Sequence, residues 1–305
     1  MIKDKDVICF LGDSITAEGS WEAEFDQTVG KYKDIKIYNC GVPGSRAALA
    51  AEYIYGLCLM KNPDKVVINF GVNDISRWVL GKAYGKDDGA QIVEKAIEIY
   101  AEKIEQITKT VIEYDAEPIL CTPVPYDEYT DRIEENLKCD YALERCAEIV
   151  KNVSKKYGAK LVDFRTPMLE AIRKREVISP DRVHPTAFGY HLMAGIFMRE
   201  MGEGAEFDIN TPFRAEEWNA KRRNAERQLK IIDFVDYCHF FEKSRMLGWG
   251  IPEKMAQCRA EYEAAEDKFS YAPSACKYYI ENAMRREFLE NEVARLTVYP
   301  RKAKK

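Results

Sequence analysis

The sequence lacks the features that mark membrane and secreted proteins. Its 305 residues contain no stretch near the ~20 apolar residues that a membrane-spanning helix needs. The first apolar run, residues 7–11, directly follows several charged residues and is too short for the apolar region of a secretory signal. These absences predict a cytoplasmic protein with no membrane partner; the alternative is a secreted form whose signal peptide has been removed.

An excess of basic residues is also missing. Lysine and arginine number 46 against 51 aspartates and glutamates, which gives a net charge of −5. A nucleic-acid-binding surface normally needs a basic stripe, so no nucleic-acid partner is expected. The 46% hydrophobic content, with 13 phenylalanines and 18 tyrosines, is enough to build a sizeable core.

Closely spaced cysteine pairs are absent as well. The nine cysteines are odd in number and none forms a C-x-x-C pair, while the whole chain has only three histidines. Zinc sites use close cysteine and histidine pairs. We therefore expect reduced thiols that pack as small apolar side chains, and no metal site.

The first two hundred residues alternate short apolar runs with longer amphipathic segments. Nearly continuous apolar runs predict buried parallel strands, whereas a period of 3.6 residues predicts helices. The predicted strands are residues 6–11, 35–40, 65–70, 118–122 and 160–164. The predicted helices are residues 21–32, 45–61, 90–114, 131–157, 166–175 and 185–201. This alternation predicts a three-layer α/β/α domain with a five-stranded parallel sheet.

Composition changes after about Gly202, where the β-branched strand-like runs end. Three amphipathic segments, residues 215–247, 252–269 and 274–296, predict an α-helical extension separated by glycine- and proline-containing turns. We assign residues 1–204 to the α/β domain and 205–305 to this extension. Its helices need a partner surface, which could be the core, each other, or a second subunit in a homo-oligomer.

Ser14 is the first candidate for chemistry, because it lies directly after a predicted strand in the segment GDSIT, residues 12–16. Ligands bind at the carboxyl ends of parallel strands. An alternative is that Ser14 only caps the following helix, which is a common use of serine.

His184 is the candidate general base, since a serine hydroxyl needs a group that takes its proton near neutral pH. Asp181, three residues earlier, can fix the imidazole tautomer. The alternative is that His184 caps the helix that opens at Pro185 while Asp181 is solvated. His191 and His239 lie in helical patterns with no evident carboxylate partner.

Glycine and asparagine residues follow the second and third predicted strands and could form an oxyanion hole. The backbone N–H groups of Ser14 and Gly41 and the side-chain amide of Asn73 are the candidate donors. The alternatives are a tight turn at Gly41 and Gly44 and an Asx-turn at Asn73.

Taken together, these segments resemble the motif blocks of the SGNH (GDSL-like) hydrolases. The blocks are GDSI at residues 12–15, NCG at 39–41, GVND at 71–74 and DRVHP at 181–185, with Ile15 in place of the family's leucine. The resemblance covers about residues 6–201. It implies a flavodoxin-like fold and ester hydrolysis without metal or cofactor. It also implies a catalytic set of Ser14, His184 and Asp181, and an oxyanion hole of Ser14, Gly41 and Asn73.

The substrate is less well indicated than the chemistry. Two loops, residues 76–89 and 123–132, follow predicted strands and could form pocket walls. The candidate pocket residues are Asp13, Arg46, Trp78, Tyr84 and Tyr126, with ordinary loop packing as the alternative. Aromatic and polar walls favour a small-molecule short-acyl ester, such as an acetyl group on a carbohydrate. Acyl transfer, lysophospholipase or thioesterase activity, and a non-catalytic binding or assembly role remain open.

Overall fold

Strands and helices alternate along the chain as predicted. A computed structural model describes residues 1–75, 79, 86–128, 139–174, 176, 178–179, 181–205 and 207. Within these residues the strands are β1 (Val7–Gly12), β2 (Lys36–Gly41), β3 (Lys65–Asn69), β4 (Glu117–Cys121) and β5 (Lys160–Val162). The helices are α1 (Ser14–Glu18), α2 (Ser20–Val29), α3 (Ala47–Leu57), α4 (Val72–Ile75), α5 (Gly89–Glu113), α6 (Asp140–Tyr157), α7 (Arg165–Arg173) and α8 (Ala187–Met201). A 3₁₀ turn, Leu59–Lys61, follows α3.

The described strands form one parallel sheet in the order β2-β1-β3-β4-β5. This is the flavodoxin-like order, so the predicted five-stranded α/β/α architecture is confirmed. Strand β2 lies on one side of β1, whereas β3, β4 and β5 follow one another on the other side. Ligands of such sheets bind where the direction of building reverses, at the carboxyl ends of β1 and β3.

The ends of the three strands nearest this switch point are level with one another. Gly12 at the end of β1 pairs with Gly41 at the end of β2 and with Asn69 at the end of β3. Because parallel strands all point the same way, the residues that follow each of them reach the same edge. The register therefore brings residues 13–14, 42–46 and 71–74 toward one site.

An aromatic cluster fills the space between the sheet and one helix layer. Phe10 of β1 contacts Trp21 and Phe25 of α2 and Phe197 of α8, with ring centroids 5.1, 6.0 and 5.8 Å away. Trp21 also contacts Phe164 at 5.4 Å, and all five rings are fully buried. Tilted and edge-to-face contacts of this kind are favourable beyond the area that they bury. The cluster holds α2 and α8 against one face of the sheet.

Helices α5 and α6 pack against each other and against β4. Right-handed connections place α5 and α6 on the face opposite α2. The reason is that the chain moves toward one edge of the sheet from β1 to β2 and toward the other edge from β3 to β5. One side of α5 is buried, including Val93, Ile97, Ile104 and Val111, as its 3.6-residue period requires. Helix α6 is capped by Gly158, whose φ of 64° is the left-handed conformation that glycine favours at a helix end.

Two short helices, α1 and α4, were not predicted. They have five and four residues, too few for a helical period to be visible in the sequence. The predicted helix at 131–157 is observed from Asp140 onward, and its first part lies outside the described residues. The predicted C-terminal helices also lie outside them. None of the helices in the described part of the chain is both long and apolar enough to cross a bilayer.

Candidate active site

The structure brings Ser14, His184 and Asp181 together at the carboxyl edge of the sheet. Ser14 Oγ lies 2.8 Å from His184 Nε2, although the two residues are 170 positions apart. His184 Nδ1 lies 2.7 Å from Asp181 Oδ2. In this arrangement the imidazole can take the hydroxyl proton at Nε2, while the carboxylate holds an N–H at Nδ1.

A tight turn presents Asp181 and His184 on the same side. Asp181 Oδ1 accepts hydrogen bonds from the backbone N–H groups of Val183, at 3.1 Å, and His184, at 2.7 Å. Arg182 adopts a left-handed φ of 70°, which is unfavourable for a side chain of this size. Its buried guanidinium donates to the Asp127 carbonyl at 3.0 Å, and its own carbonyl accepts the Asp127 N–H at 3.0 Å. These bonds stabilise the turn, and no local sequence signal indicates this role for Arg182.

Asp181 is suited to stabilise an imidazolium. Its partial burial acts to raise its pKa, but the hydrogen bonds from the His184 ring and from the backbone of His184 and Val183 outweigh burial. The pKa of Asp181 is therefore held below its ordinary value, and the carboxyl is ionised at neutral pH.

Asp13, and not Ser14, caps helix α1. Asp13 Oδ1 accepts the backbone N–H of Ile15 at 2.9 Å, which leaves the Ser14 hydroxyl bonded to His184. Helix α8 is capped by Thr186, whose hydroxyl accepts the Gly189 N–H at 3.1 Å, so His184 is not a cap either. The structure therefore rules out the capping alternatives for both catalytic candidates.

Burial raises the pKa of Asp13 to about 6, although the hydrogen bond from Ile15 and the nearby His184 both lower it. The carboxyl sits directly beside the nucleophile and is only 3% exposed. Protonation of Asp13 therefore changes the charge next to Ser14 in the mildly acidic range.

Two of the predicted oxyanion donors have N–H groups that can meet an anion. Ser14 is the first residue of α1, where backbone N–H groups have no acceptor within the helix. Asn73 Nδ2 donates one hydrogen to the Ser45 carbonyl at 3.0 Å. A side-chain amide carries two N–H bonds, so the second remains for an oxyanion.

The N–H of Gly41, the third predicted donor, already has an acceptor within the protein. It donates to Asn39 Oδ1 at 3.1 Å, so an oxyanion would have to replace that oxygen. A Cβ on Gly41 would lie 2.3 Å from the Ala17 nitrogen and 2.8 Å from the Thr16 carbonyl carbon. Glycine is thus required here for the close approach of α1 to the end of β2, and the role of Gly41 as a donor stays a prediction.

Of the predicted pocket residues within the described part of the chain, only Arg46 is exposed. Asp13 and Tyr126 are 3% and 4% exposed, which leaves little of either side chain for a substrate to touch. Trp78 and Tyr84 lie outside the described residues. The assignment of the pocket walls therefore stays a prediction.

His191 does have a carboxylate partner, contrary to the expectation from sequence. Its Nδ1 lies 2.7 Å from Glu24 Oε2, and both side chains are almost completely buried. Burial raises the pKa of Glu24, although the hydrogen bond to His191 opposes this. The pair joins α2 to α8, and its 167-residue separation explains why the sequence did not reveal it. His239 lies outside the described residues.

Both ring nitrogens of His184 are occupied by hydrogen bonds to Ser14 and Asp181. In this arrangement the imidazole is placed to act as a base and not as a metal ligand. The expectation that the reaction needs no metal or cofactor stays a prediction.

A protein-family model matches more than half of the chain. The model of the GDSL-like lipase/acylhydrolase family matches residues 10–192, which include Ser14, Asn73, Asp181 and His184. No curated protein matches the sequence.

Several solved structures share the fold. Axe2, an acetylxylan esterase from Geobacillus stearothermophilus, is 18% identical with a TM-score of 0.54, and the match covers 67% of this chain and 97% of Axe2. LAE5, an α/β hydrolase from the metagenome of Lake Arreo in Spain, is 18% identical with a TM-score of 0.56, covering 66% and 97%. BT4096, a gut microbial diltiazem-metabolizing enzyme, is 22% identical with a TM-score of 0.60, covering 66% of this chain but only 48% of that enzyme.

Proposed function

This chain belongs to the GDSL-like lipase/acylhydrolase family, and from that premise we propose that it hydrolyses short-acyl esters through an acyl intermediate on Ser14. As a member of the family it is an ester hydrolase. The observation that carries the proposal is the hydrogen-bonded series from Ser14 through His184 to Asp181, with distances of 2.8 and 2.7 Å. This series supplies a nucleophile, a base and an orienting carboxylate in the order that acyl transfer needs.

In the proposed reaction Ser14 Oγ attacks the acyl carbonyl while His184 Nε2 takes the hydroxyl proton. The tetrahedral intermediate then expels the alcohol, which receives that proton from His184, and the acyl group stays on Ser14. Water attacks the acyl group with His184 again as base, and the carboxylic acid is released. Asp181 stabilises the imidazolium in both steps.

The negative charge of each tetrahedral intermediate needs fixed hydrogen-bond donors. We assign this role to the Ser14 N–H and the second N–H of the Asn73 amide, with Gly41 as a third donor if its bond to Asn39 is exchanged. Loss of one such donor typically costs ~10²–10³ in turnover.

An acetyl ester of a carbohydrate is the substrate class that we favour. Axe2, which shares the fold, is an acetylxylan esterase, and Arg46 offers an exposed polar group after the turn that follows β2. A polar rim suits a sugar better than a long acyl chain. The test is a series of nitrophenyl esters of rising chain length measured beside acetylated sugars, in which the acetyl compounds should react fastest. Faster turnover of long chains would indicate a lysophospholipase or thioesterase instead.

Labelling with a fluorophosphonate probe tests the nucleophile directly. We expect one adduct, on Ser14, and expect both Ser14→Ala and His184→Ala to abolish it. Ser20→Ala is the matched control, because the Ser20 hydroxyl donates to Glu18 and not to the catalytic histidine, and it should label normally. Absence of labelling in the folded wild-type protein would contradict the proposal and favour a binding role.

A further inference from the structure

Asp74 is a buried carboxyl immediately after Asn73, and its two oxygens have different surroundings. Oδ1 accepts the backbone N–H of Ala47, the first residue of α3, at 3.0 Å. Oδ2 is buried and has no hydrogen-bond partner among the described residues. The side chain is 6% exposed, so a substrate cannot reach it. Asp74 can therefore affect the reaction only through the groups that it holds and through its own charge.

The groups that it holds belong to the segment 42–47, which is fixed at both ends. At its start, the Val42 N–H donates to the Gly12 carbonyl at 2.9 Å, just before the nucleophile. A turn follows, in which the Ser45 N–H donates to the Val42 carbonyl at 3.0 Å. At its end, the Ala47 N–H reaches Asp74.

Within this segment, the Ser45 carbonyl is the acceptor for Asn73 Nδ2, at 3.0 Å. That bond fixes the amide plane of Asn73, and the direction of its second N–H depends on the position of the Ser45 carbonyl. Asp74 anchors the chain two residues beyond Ser45. A path of hydrogen bonds and two peptide units therefore links the buried carboxyl to the proposed oxyanion donor.

We propose that Asp74 is the positioning residue of the oxyanion hole: by holding Ala47 it places the Ser45 carbonyl, which in turn orients the Asn73 amide. The proposal rests on the proposed function, since Asn73 needs an oxyanion to stabilise. It assigns to this acid a role in the transition state without any contact with substrate. Preorganised donors are effective because they need no rearrangement as charge develops.

The charge state of Asp74 supports this role. Burial raises the pKa of Asp74 to about 7; the Ala47 N–H and Arg46 lower it, and Asp13 raises it. Tyr100 on α5 and Cys146 on α6 also face this carboxyl, and burial raises the pKa of both, so they stay neutral. An ionised Asp74 would place an unpaired charge beside the oxyanion and oppose its formation. Turnover should therefore decline as pH rises above about 7.

The experiment measures kcat and KM on an acetyl ester for wild type, Asp74→Ala, Asn73→Ala and the double variant. Asp74→Ala should lower kcat about 10–100-fold, with KM changed less than about twofold, because the misplaced donor acts mainly in the transition state. The double variant should lose no more than Asn73→Ala alone, since both changes remove the same donor. Asp6→Asn, at a buried carboxylate that pairs with Lys65 at the amino end of β3, is the control and should keep wild-type kcat.

Asp74→Asn gives a second test that does not depend on the stability of the alanine variant. It keeps an acceptor for Ala47 but cannot ionise, so it should retain turnover and lose the decline at high pH. Wild-type kcat in Asp74→Ala, additive losses in the double variant, or an unchanged high-pH decline in Asp74→Asn would each overturn the proposal. Failure of wild type to hydrolyse esters or to label on Ser14 would instead overturn the proposed function.

Discussion

Replacing Asp74 with asparagine should also change how the stability of the protein depends on pH. Burial raises the pKa of this carboxyl from 3.8 to about 7 in the folded state. Between these two values the folded protein binds more protons than the unfolded chain. The contribution of Asp74 to the free energy of unfolding therefore falls as pH rises from about 4 to about 7, and is flat above that range.

The magnitude follows from the size of the shift. Each pKa unit corresponds to ~1.36 kcal/mol, so a shift of roughly three units corresponds to about 4 kcal/mol of stability lost across this pH window. Asparagine resembles the neutral acid in shape and cannot ionise, so the variant should lack this loss. Any constant cost of the asparagine amide adds equally at every pH and does not affect the comparison.

Urea unfolding of both proteins between about pH 4 and pH 8 measures the effect. We expect Asp74→Asn to gain about 4 kcal/mol relative to wild type over that range. Asp181→Asn provides a contrast of opposite sign. The pKa of Asp181 is lowered in the folded state, so its stabilising effect is present above pH ~4 and is lost only as pH falls below that value. A difference between wild type and Asp74→Asn that stays constant with pH would refute the reasoning.

Three further predictions concern packing and catalysis. Gly41→Ala forces a methyl group into the backbone of α1, so it should lower the free energy of unfolding by ~1–3 kcal/mol and remove most of the turnover. Gly158→Ala is the control: its added Cβ contacts no atom, so it should lower the thermal midpoint but leave turnover unchanged. His191→Ala leaves Glu24 buried without its partner and should cost ~3–5 kcal/mol in urea unfolding, with a smaller loss in Glu24→Gln. Asp181→Asn should lower kcat on the order of 10³–10⁴-fold by favouring the wrong imidazole tautomer, and a loss below tenfold would argue against its role.

Much of the site could be predicted because the sequence shows which residues directly follow each predicted strand. Ser14, Asn73 and the segment 42–46 each follow an apolar run, and parallel strands bring such positions to one edge. The short Asp181–His184 spacing likewise indicated that the carboxylate could reach the imidazole, and the structure brings the two together in a tight turn. Short helices α1 and α4 escaped prediction because their four or five residues show no period.

The sequence by itself determined the sheet, the helices that cover it and the residue types that meet at its carboxyl edge, because apolar periodicity and local turns are properties of neighbouring positions. Only the tertiary structure decided which partner each polar group takes. Asn39 accepts the Gly41 N–H, Asp74 anchors Ala47, and Glu24 meets His191. The last two contacts join residues that are 27 and 167 positions apart. Contacts between such distant positions depend on how the helices and strands pack, which local sequence patterns do not show.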